Sequence, residues 1–373
     1  MRDVLILGAS GSIGEQSLDI IKENKSSFNL TAISVGNNSD YLISTLKEFP
    51  SIKYAYLIDE EVRLLLSNAF PNITFFAGKN GLRKMINKCS FDLCVDALVG
   101  FVGMAPAIQV LKKNKILCLA NKEALVSGGT IINKLLSKGK GKLYPIDSEH
   151  VALAKCLSKV NLNDVKTLHI TASGGALRNM RLEDLENATP EDALKHPNWT
   201  MGKKITIDCA TMMNKGFEII EAYYLFHFPV EQISVQMHDE SLIHSYIELK
   251  DGTLIYDYGK PDMHNPIKYA MFEGLIDFKI GTTKDLSSLV DCHFHDYDPE
   301  RYPLTELAKQ CLMQGASKMI ALNAANEVAV NRFLNKDIKY LDINRIVQTV
   351  VQKQRIIKAP SMMEINYIDK KAR

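Results

Sequence analysis

The residues best equipped for chemistry begin in "LYPIDSEHVALAK", Leu143 to Lys155, where Asp147 and Glu149 stand two apart with Ser148 between them. If the apolar run stays extended this far, residues two apart share a face and both carboxylates aim at one spot. Like charges so placed repel, so the pair needs something positive between them. A second candidate lies in "ITIDCATMMNKGFEIIEAYYLF". A strand over Ile205 to Asp208 is expected to lead into a helix whose buried stripe is Met213, Phe217, Ile220 and Tyr224. On the adjoining face, Asn214 and Lys215 are helical neighbours of Glu218. Asn214 and Lys215 near a helix start suit an anion, with Glu218 one turn deeper. The plainer reading is a solvated Lys–Glu pair.

Three further segments carry polar groups where a site could form. "LANKEALVSGG" places Asn121, Lys122 and Glu123 at the opening of a helix after the strand "ILCLA". "LHITASGGALRN" runs a strand into Ser173-Gly174-Gly175, whose hydroxyl and N–H groups suit a phosphate, although such a turn is also an ordinary loop. "LKHPNWTMGKK" reads as a loop holding His196, Trp199 and Met201 and ending at Gly202. The aromatic and the methionine suit either a satellite core or a water-excluding lid, and their types favour the core.

The elements that must position these groups start at the N-terminus. "DVLILGASGSIGEQSLDIIKEN" reads as a strand (Val4 to Leu7), a glycine turn and a helix (Ile13 to Lys22). In a nucleotide-binding turn Gly8 permits the bend, Gly11 lets backbone approach a pyrophosphate and Gly14 lets helix pack on strand. The helix start offers N–H donors to the phosphates. The second strand, "LTAISVG", ends in Gly36-Asn37-Asn38-Ser39 rather than in an acid, which favours NADP over NAD. Apolar runs "YAYLI", "ITFFA", "DLCVDAL", "KILCLA" and "KLYPI" then alternate with helical stretches around Glu60–Ser67, Gly81–Lys88, Met104–Lys113 and Gly129–Ser137. This is the βαβ alternation of a doubly wound, Rossmann-like parallel sheet. Its last strand ends at Asp147, so the opening carboxylates fall on the edge where such folds bind ligands.

The 373 residues are too many for one core, and 46% hydrophobic with 24% charged residues is ordinary for a soluble globular protein. A formal charge of +2 argues against nucleic acid or an acidic membrane as partner. Seven cysteines, mostly in apolar runs, fit buried thiols in a reducing compartment. The short apolar start before the glycines is no signal-peptide core, and no later stretch suits a membrane span. The expected location is the cytoplasm.

In order along the chain, "GASGSIG", "LANKEALV", "PIDSEH", "TASGG", "HPNWTMG", "DCATMMNKGFE", "IHSYIELKDGT", "PDMHNPI", "RYP" and "ALNAANEVAV" resemble the 1-deoxy-D-xylulose 5-phosphate reductoisomerase family. The resemblance implies an α/β architecture in four parts: an NADPH-binding domain over residues 1–147, a central α/β catalytic domain over 148–275, a linker over 276–300 and a C-terminal helical bundle over 301–373. It implies a homodimer, a phosphorylated sugar as substrate, and NADPH with one divalent cation (Mg²⁺, Mn²⁺ or Co²⁺) as cofactors. The metal ligands it implies are Asp147, Glu149 and Glu218. Lys122 and Ser148 would hold the hydroxyketone part of the substrate. Ser173, Asn214 and Lys215 would grip its phosphate near His196, with Trp199 and Met201 as lid. NADPH would meet Gly8, Ser10, Gly11, Ser12, Ile13, Gly14, Gly36, Asn37, Asn38, Asn121, Glu123 and Gly202. The reaction implied is a retro-aldol/aldol rearrangement followed by reduction. A related oxidoreductase acting on another phosphorylated sugar, or a non-catalytic paralogue, are the alternatives.

This chain departs from the family pattern at several places. Ser10 stands for a threonine and Cys209 for a phosphate-binding serine, and a thiol is the poorer donor. The family's "HPQS" is here His238-Asp239-Glu240-Ser241, and Val151 follows "DSEH" where a small residue or asparagine is common. "CHFHDYD", Cys292 to Asp298, could suggest a transition-metal site but reads better as linker.

Overall fold

The structure is a computed structural model that describes residues 1–275 and 292–373. The chain divides into two compact units: Met1–Ala124, Ile131–Asp147 and a segment from Met263 form one, and Leu125–Thr130, Ser148–Asp262 and the C-terminal part form the other.

The first unit opens with β1 (Arg2–Leu7), α1 (Ser12–Glu23), β2 (Phe28–Ser34), α2 (Ser39–Glu48), β3 (Tyr54–Tyr56), α3 (Glu60–Ala69), β4 (Thr74–Phe76) and α4 (Gly81–Lys88). It continues with β5 (Leu93–Asp96), α5 (Met104–Lys112), β6 (Ile116–Leu119), α6 (Lys122–Lys138, which also runs through the second unit's short segment) and β7 (Lys142–Pro145). The strands form one seven-stranded parallel sheet in the order β4-β3-β2-β1-β5-β6-β7. Helices on both faces bury the central strands, which is why Val4–Leu7 and Leu93–Asp96 are buried throughout rather than alternately. The strand order reverses between β1 and β5, the switch point outside which doubly wound sheets bind ligands.

Two glycines make the first turn possible. Gly8 adopts φ +82°, and a Cβ there would lie 2.7 Å from the Ala97 carbonyl oxygen, in the loop after β5. A Cβ on Gly14 would lie 2.3 Å from the Gly8 oxygen and 2.6 Å from the Ala9 Cα, so α1 touches the turn backbone directly. Helix starts are capped by side chains: Asn38 Oδ1 accepts from the Tyr41 N–H at 3.0 Å, and Asn121 Oδ1 accepts from the Ala124 N–H at 2.8 Å.

The second unit contains α7 (Ser148–Leu157), β8 (Val165–Ala172), α8 (Pro190–Ala193), α9 (Lys203–Ala210), α10 (Met213–Phe226), β9 (Ile233–His238), β10 (Ile243–Leu249) and β11 (Leu254–Tyr258). α11 (His264–Met271) belongs to the first unit, and β12 (Phe294–His295) returns to the second. The mixed sheet runs β11-β10-β8-β9-β12, parallel only at β8–β9. Then come α12 (Pro303–Gln314), α13 (Ala316–Leu334), α14 (Tyr340–Lys353) and α15 (Met362–Ala372), with α13 packed against the other three.

Two expectations fail here for local reasons. The segment Ile205–Asp208 lies inside helix α9 rather than in a strand. Its β-branched residues are outweighed by Gly202 at the helix start and by a Lys204–Asp208 ion pair of 2.7 Å across one turn. Strand β7 stops at Pro145 and α7 starts at Ser148, so Asp147 and Glu149 do not share a strand face. Glu149 instead occupies the first helical turn, where the helix dipole favours an acid.

Gly14→Ala is expected to destabilise the first unit by roughly 1–3 kcal/mol, the usual range for overpacking, and to weaken NADPH binding. Urea unfolding together with a cofactor titration checks this; an unchanged midpoint contradicts the packing assigned to Gly14.

Candidate active site

Helix α10 is buried on nearly every side, including its polar residues. Lys215 is 5% exposed and Glu218 0%, so the solvated-pair reading is wrong. The Lys215 ammonium lies 2.7 Å from Glu218 Oε2 and is also paired with Glu149 Oε1. Asn214 Nδ2 donates to the other oxygen of Glu218, and the Ser148 hydroxyl donates to Glu149 Oε2 at 2.6 Å. Burial alone would pull the Lys215 amine down, but Glu149 and Glu218 override it and hold the ammonium above its usual range. Glu149 and Glu218 bring carboxylate oxygens within 4.8 Å of each other. A carboxylate pair, one acid buried and one half-buried, with a cation between them is thus built into the second unit.

His150 and Glu221, given no role by the sequence reading, lie behind this cluster. His150 Nε2 is 3.0 Å from the Glu218 carbonyl oxygen, and its Nδ1 is 3.6 Å from Glu221 Oε2. The only sequence signal was their spacing, one residue after Glu149 and three after Glu218. In the first unit, Asn121 and Glu123 are buried at the start of α6, and Lys122 Nζ donates to Asp147 Oδ2 at 2.9 Å. Asp147 is the last residue of its segment and directly precedes Ser148.

The Ser173 turn and the 196–202 loop meet in the second unit. Ser173 Oγ is 3.1 Å from His196 Nε2. His196 Nδ1 accepts from the backbone N–H groups of Asn198 (3.2 Å) and Trp199 (3.1 Å). A nitrogen that accepts twice carries no proton, so the neutral ring bears its hydrogen on Nε2 and donates to Ser173. Burial first, then the charges of Lys215 and Arg178, pull the His196 pKa down to about 4 against the pull of Glu149. His196 is therefore a neutral donor near pH 7. Arg178, which the sequence reading passed over, donates to the Ser173 carbonyl at 2.9 Å and fixes the same turn.

Trp199 and Met201 are half-buried on a loop. The Trp199 ring lies 6.1 Å from that of His244. Cys209 is half-buried near the end of α9, and exposed Gly202 caps its start. In the glycine loop Gly11 and Ser12 are exposed, Ser10 and Ile13 half-buried, while Gly36 has open space where a Cβ would go. Asn37 and Asn38 are exposed beside it. In "CHFHDYD", His293 pairs with Glu240 at 2.6 Å, and among the described residues no three ligating side chains cluster there.

A doubly wound nucleotide-type sheet in one unit, and a buried carboxylate–lysine cluster beside hydroxyl and amide donors in the other, define an α/β oxidoreductase. Three family models match: "1-deoxy-D-xylulose 5-phosphate reductoisomerase" over residues 4–129, its C-terminal domain over 143–226, and "DXP reductoisomerase C-terminal domain" over 258–373. The chain therefore belongs to the 1-deoxy-D-xylulose 5-phosphate reductoisomerase family. A reductoisomerase of that name from Geobacillus sp. (strain WCH70) is 41% identical, covering 100% of this chain and 98% of its own. One from Halalkalibacterium halodurans is 37% identical with the same coverage. Among solved structures, DOX-P reductoisomerase in complex with NADPH, fosmidomycin and magnesium superposes with TM-score 0.92 at 32% identity, over 100% of this chain and 97% of that one. The Zymomonas mobilis enzyme in complex with NADPH gives 0.89 at 34%, with the same coverage.

His196, His169 and His244 all have lowered pKa values, burial being the first cause in each. Between about pH 6.5, the unfolded value, and the lowered native ones, the unfolded chain binds more protons. Stability is therefore expected to be complete above that range and to fall on acidification from pH 7 to 5, read as a lower urea midpoint. In the same window ¹⁵N spectra should show His196 neutral with hydrogen on Nε2; a protonated ring at pH 6 contradicts this.

Proposed function

We infer that the chain converts 1-deoxy-D-xylulose 5-phosphate to 2-C-methyl-D-erythritol 4-phosphate in non-mevalonate isoprenoid biosynthesis, oxidising NADPH with the help of a divalent cation. The observation that carries this reading is the buried Glu149–Lys215–Glu218 cluster in a chain of this family. Asp147 stands two positions before Glu149, with Ser148 between them, and is the third carboxylate of the set that the family resemblance implies. Three carboxylates are a hard oxygen set that suits Mg²⁺ or Mn²⁺, and a site that already seats an ammonium between two acids is one that demands positive charge. Asp147, Glu149 and Glu218 would hold the ion. When bound, it supplies Lewis-acid polarisation of adjacent substrate oxygens, which eases C–C cleavage and re-formation.

The chain's own residues do the rest. Lys122, paired with Asp147, and Ser148, bonded to Glu149, orient the hydroxyketone end. Ser173, His196, Asn214 and Lys215 grip the phosphate, with Cys209 as a weaker donor beside them. His196, neutral with its hydrogen on Nε2, acts as a hydrogen-bond donor. Trp199 and Met201, half-buried on their loop, cover the ligand and exclude water. Phosphate binding far from the reacting carbons provides energy for that closure.

The turn from Gly8 to Gly14, with Ser10, Gly11, Ser12 and Ile13, approaches the NADPH pyrophosphate, and Gly36, Asn37 and Asn38 accept its 2′-phosphate without an acid to repel it. Asn121, Glu123 and Gly202 complete the cofactor contacts. The enzyme acts as a homodimer in the cytoplasm. Among the described residues β11 is an edge strand of its sheet and exposes Leu254 (55%) and Tyr256 (52%), an apolar edge that a second copy can cover. No helix among the described residues is long and apolar enough to cross a membrane.

Purified protein with Mg²⁺ or Mn²⁺ is expected to oxidise NADPH only when deoxyxylulose phosphate is added; no oxidation at saturating substrate sinks the assignment. Glu218→Gln should cut turnover by roughly 100-fold or more while NADPH affinity stays level, as measured by fluorescence titration. Tyr256→Asp is expected to shift the protein from dimer to monomer in light scattering, and a parent that is already monomeric rules the homodimer out.

A further inference from the structure

The turn between α9 and α10 is held from outside by side chains of the C-terminal helices. A helix leaves its last carbonyls without partners of its own, and buried carbonyls need them. The Ala210 carbonyl takes the hydroxyl of Tyr340, on α14, at 2.7 Å. The Met212 carbonyl, which caps α10 by accepting from the Gly216 N–H at 3.2 Å, also takes the hydroxyl of Thr305, on α12, at 2.9 Å. Asp208 Oδ1 takes the amide of Asn326, on α13, at 2.8 Å, while its Oδ2 is paired with Lys204 at 2.7 Å. All three donors are buried, Thr305 and Asn326 to 0% exposure.

What they hold is strained and central. Met212 is buried at φ +58°, a left-handed conformation that costs a non-glycine residue about 1–3 kcal/mol and lasts only where its surroundings over-determine it. Cys209 lies on the near side of the turn, and Asn214 and Lys215 on the far side, at the start of α10. The Ser173 turn rests on the same spot: a Cβ on Gly175 would lie 2.7 Å from the Ala210 Cα and N. Cys209, Asn214 and Lys215, assigned above to the phosphate, thus sit on this one elbow, and the Ser173 turn packs against it.

We propose that Thr305, Asn326 and Tyr340, from three successive C-terminal helices, are positioning residues that fix the elbow aiming the phosphate cradle. This rests on the assignment of Ser173, Asn214 and Lys215 to the substrate phosphate. The helical C-terminal region then serves the reaction without touching the substrate.

Tyr340→Phe and Thr305→Val each delete one hydrogen bond at nearly constant volume, and Thr305→Ser retains it. In the full-length enzyme, calorimetric Kd and steady-state KM for deoxyxylulose phosphate are expected to rise about 3- to 10-fold in each deletion variant, the worth of a buried hydrogen bond. kcat, NADPH affinity and the Thr305→Ser enzyme should match the parent. The ratio of kcat/KM for the phosphorylated over the unphosphorylated sugar should fall by the same factor. If affinity is unchanged, or both sugars lose equally, Thr305 and Tyr340 are merely structural and the proposal is overturned. A parent that does not itself favour the phosphorylated sugar overturns the cradle assignment and this proposal together.

Discussion

The structure of the second unit turns on one buried ammonium. Lys215 lies between Glu149 and Glu218, with Asn214 and Ser148 satisfying further carboxylate oxygens. Burying charges costs several kcal/mol for each ion unless partners repay it. The arrangement therefore survives because each acid oxygen has a donor. Glu218 is fully buried while Glu149 keeps some exposure, so the cluster is closed on the α10 side and open on the α7 side.

That cluster has to be carried by rigid elements, and the chain supplies them from distant places. α7 delivers Glu149 in its first turn, and α10 delivers Asn214, Lys215 and Glu218 from a helix with almost no exposed face. Around it the Ser173 turn, Arg178 and the neutral His196 form a set of donors whose directions are already decided by their own hydrogen bonds. Donors so arranged have little freedom left to lose on binding a ligand, which is how pre-organisation raises affinity. In the first unit, the same economy appears in backbone alone: Gly8 and Gly14 remove the two Cβ atoms that would keep helix, turn and neighbouring loop apart.

Strands β1 to β7 and helices α1, α3, α4 and α5 were legible because each is a short apolar run or an amphipathic stretch bounded by glycine, proline or asparagine. The helix α2 was not among the expected helical stretches, since Gly36-Asn37-Asn38-Ser39 reads only as the end of a strand, and it is the Asn38 side chain that caps its start. α9 was misread because Ile205, Thr206 and Ile207 have strand-like types, and nothing local announces that Asp208 pairs back to Lys204 and forward to Asn326.

By itself, the order of residues determined the parallel sheet, the glycine turn and the list of acids, amides and hydroxyls able to do chemistry, because these depend on period, chain chirality and side-chain type. Only the tertiary structure decided that Lys215 is buried between two acids, that His196 is a neutral donor, and that Thr305, Asn326 and Tyr340 reach the α9–α10 turn. Those properties come from contacts between residues far apart in the chain, where burial changes the cost of a charge and a neighbour's N–H decides where a proton sits.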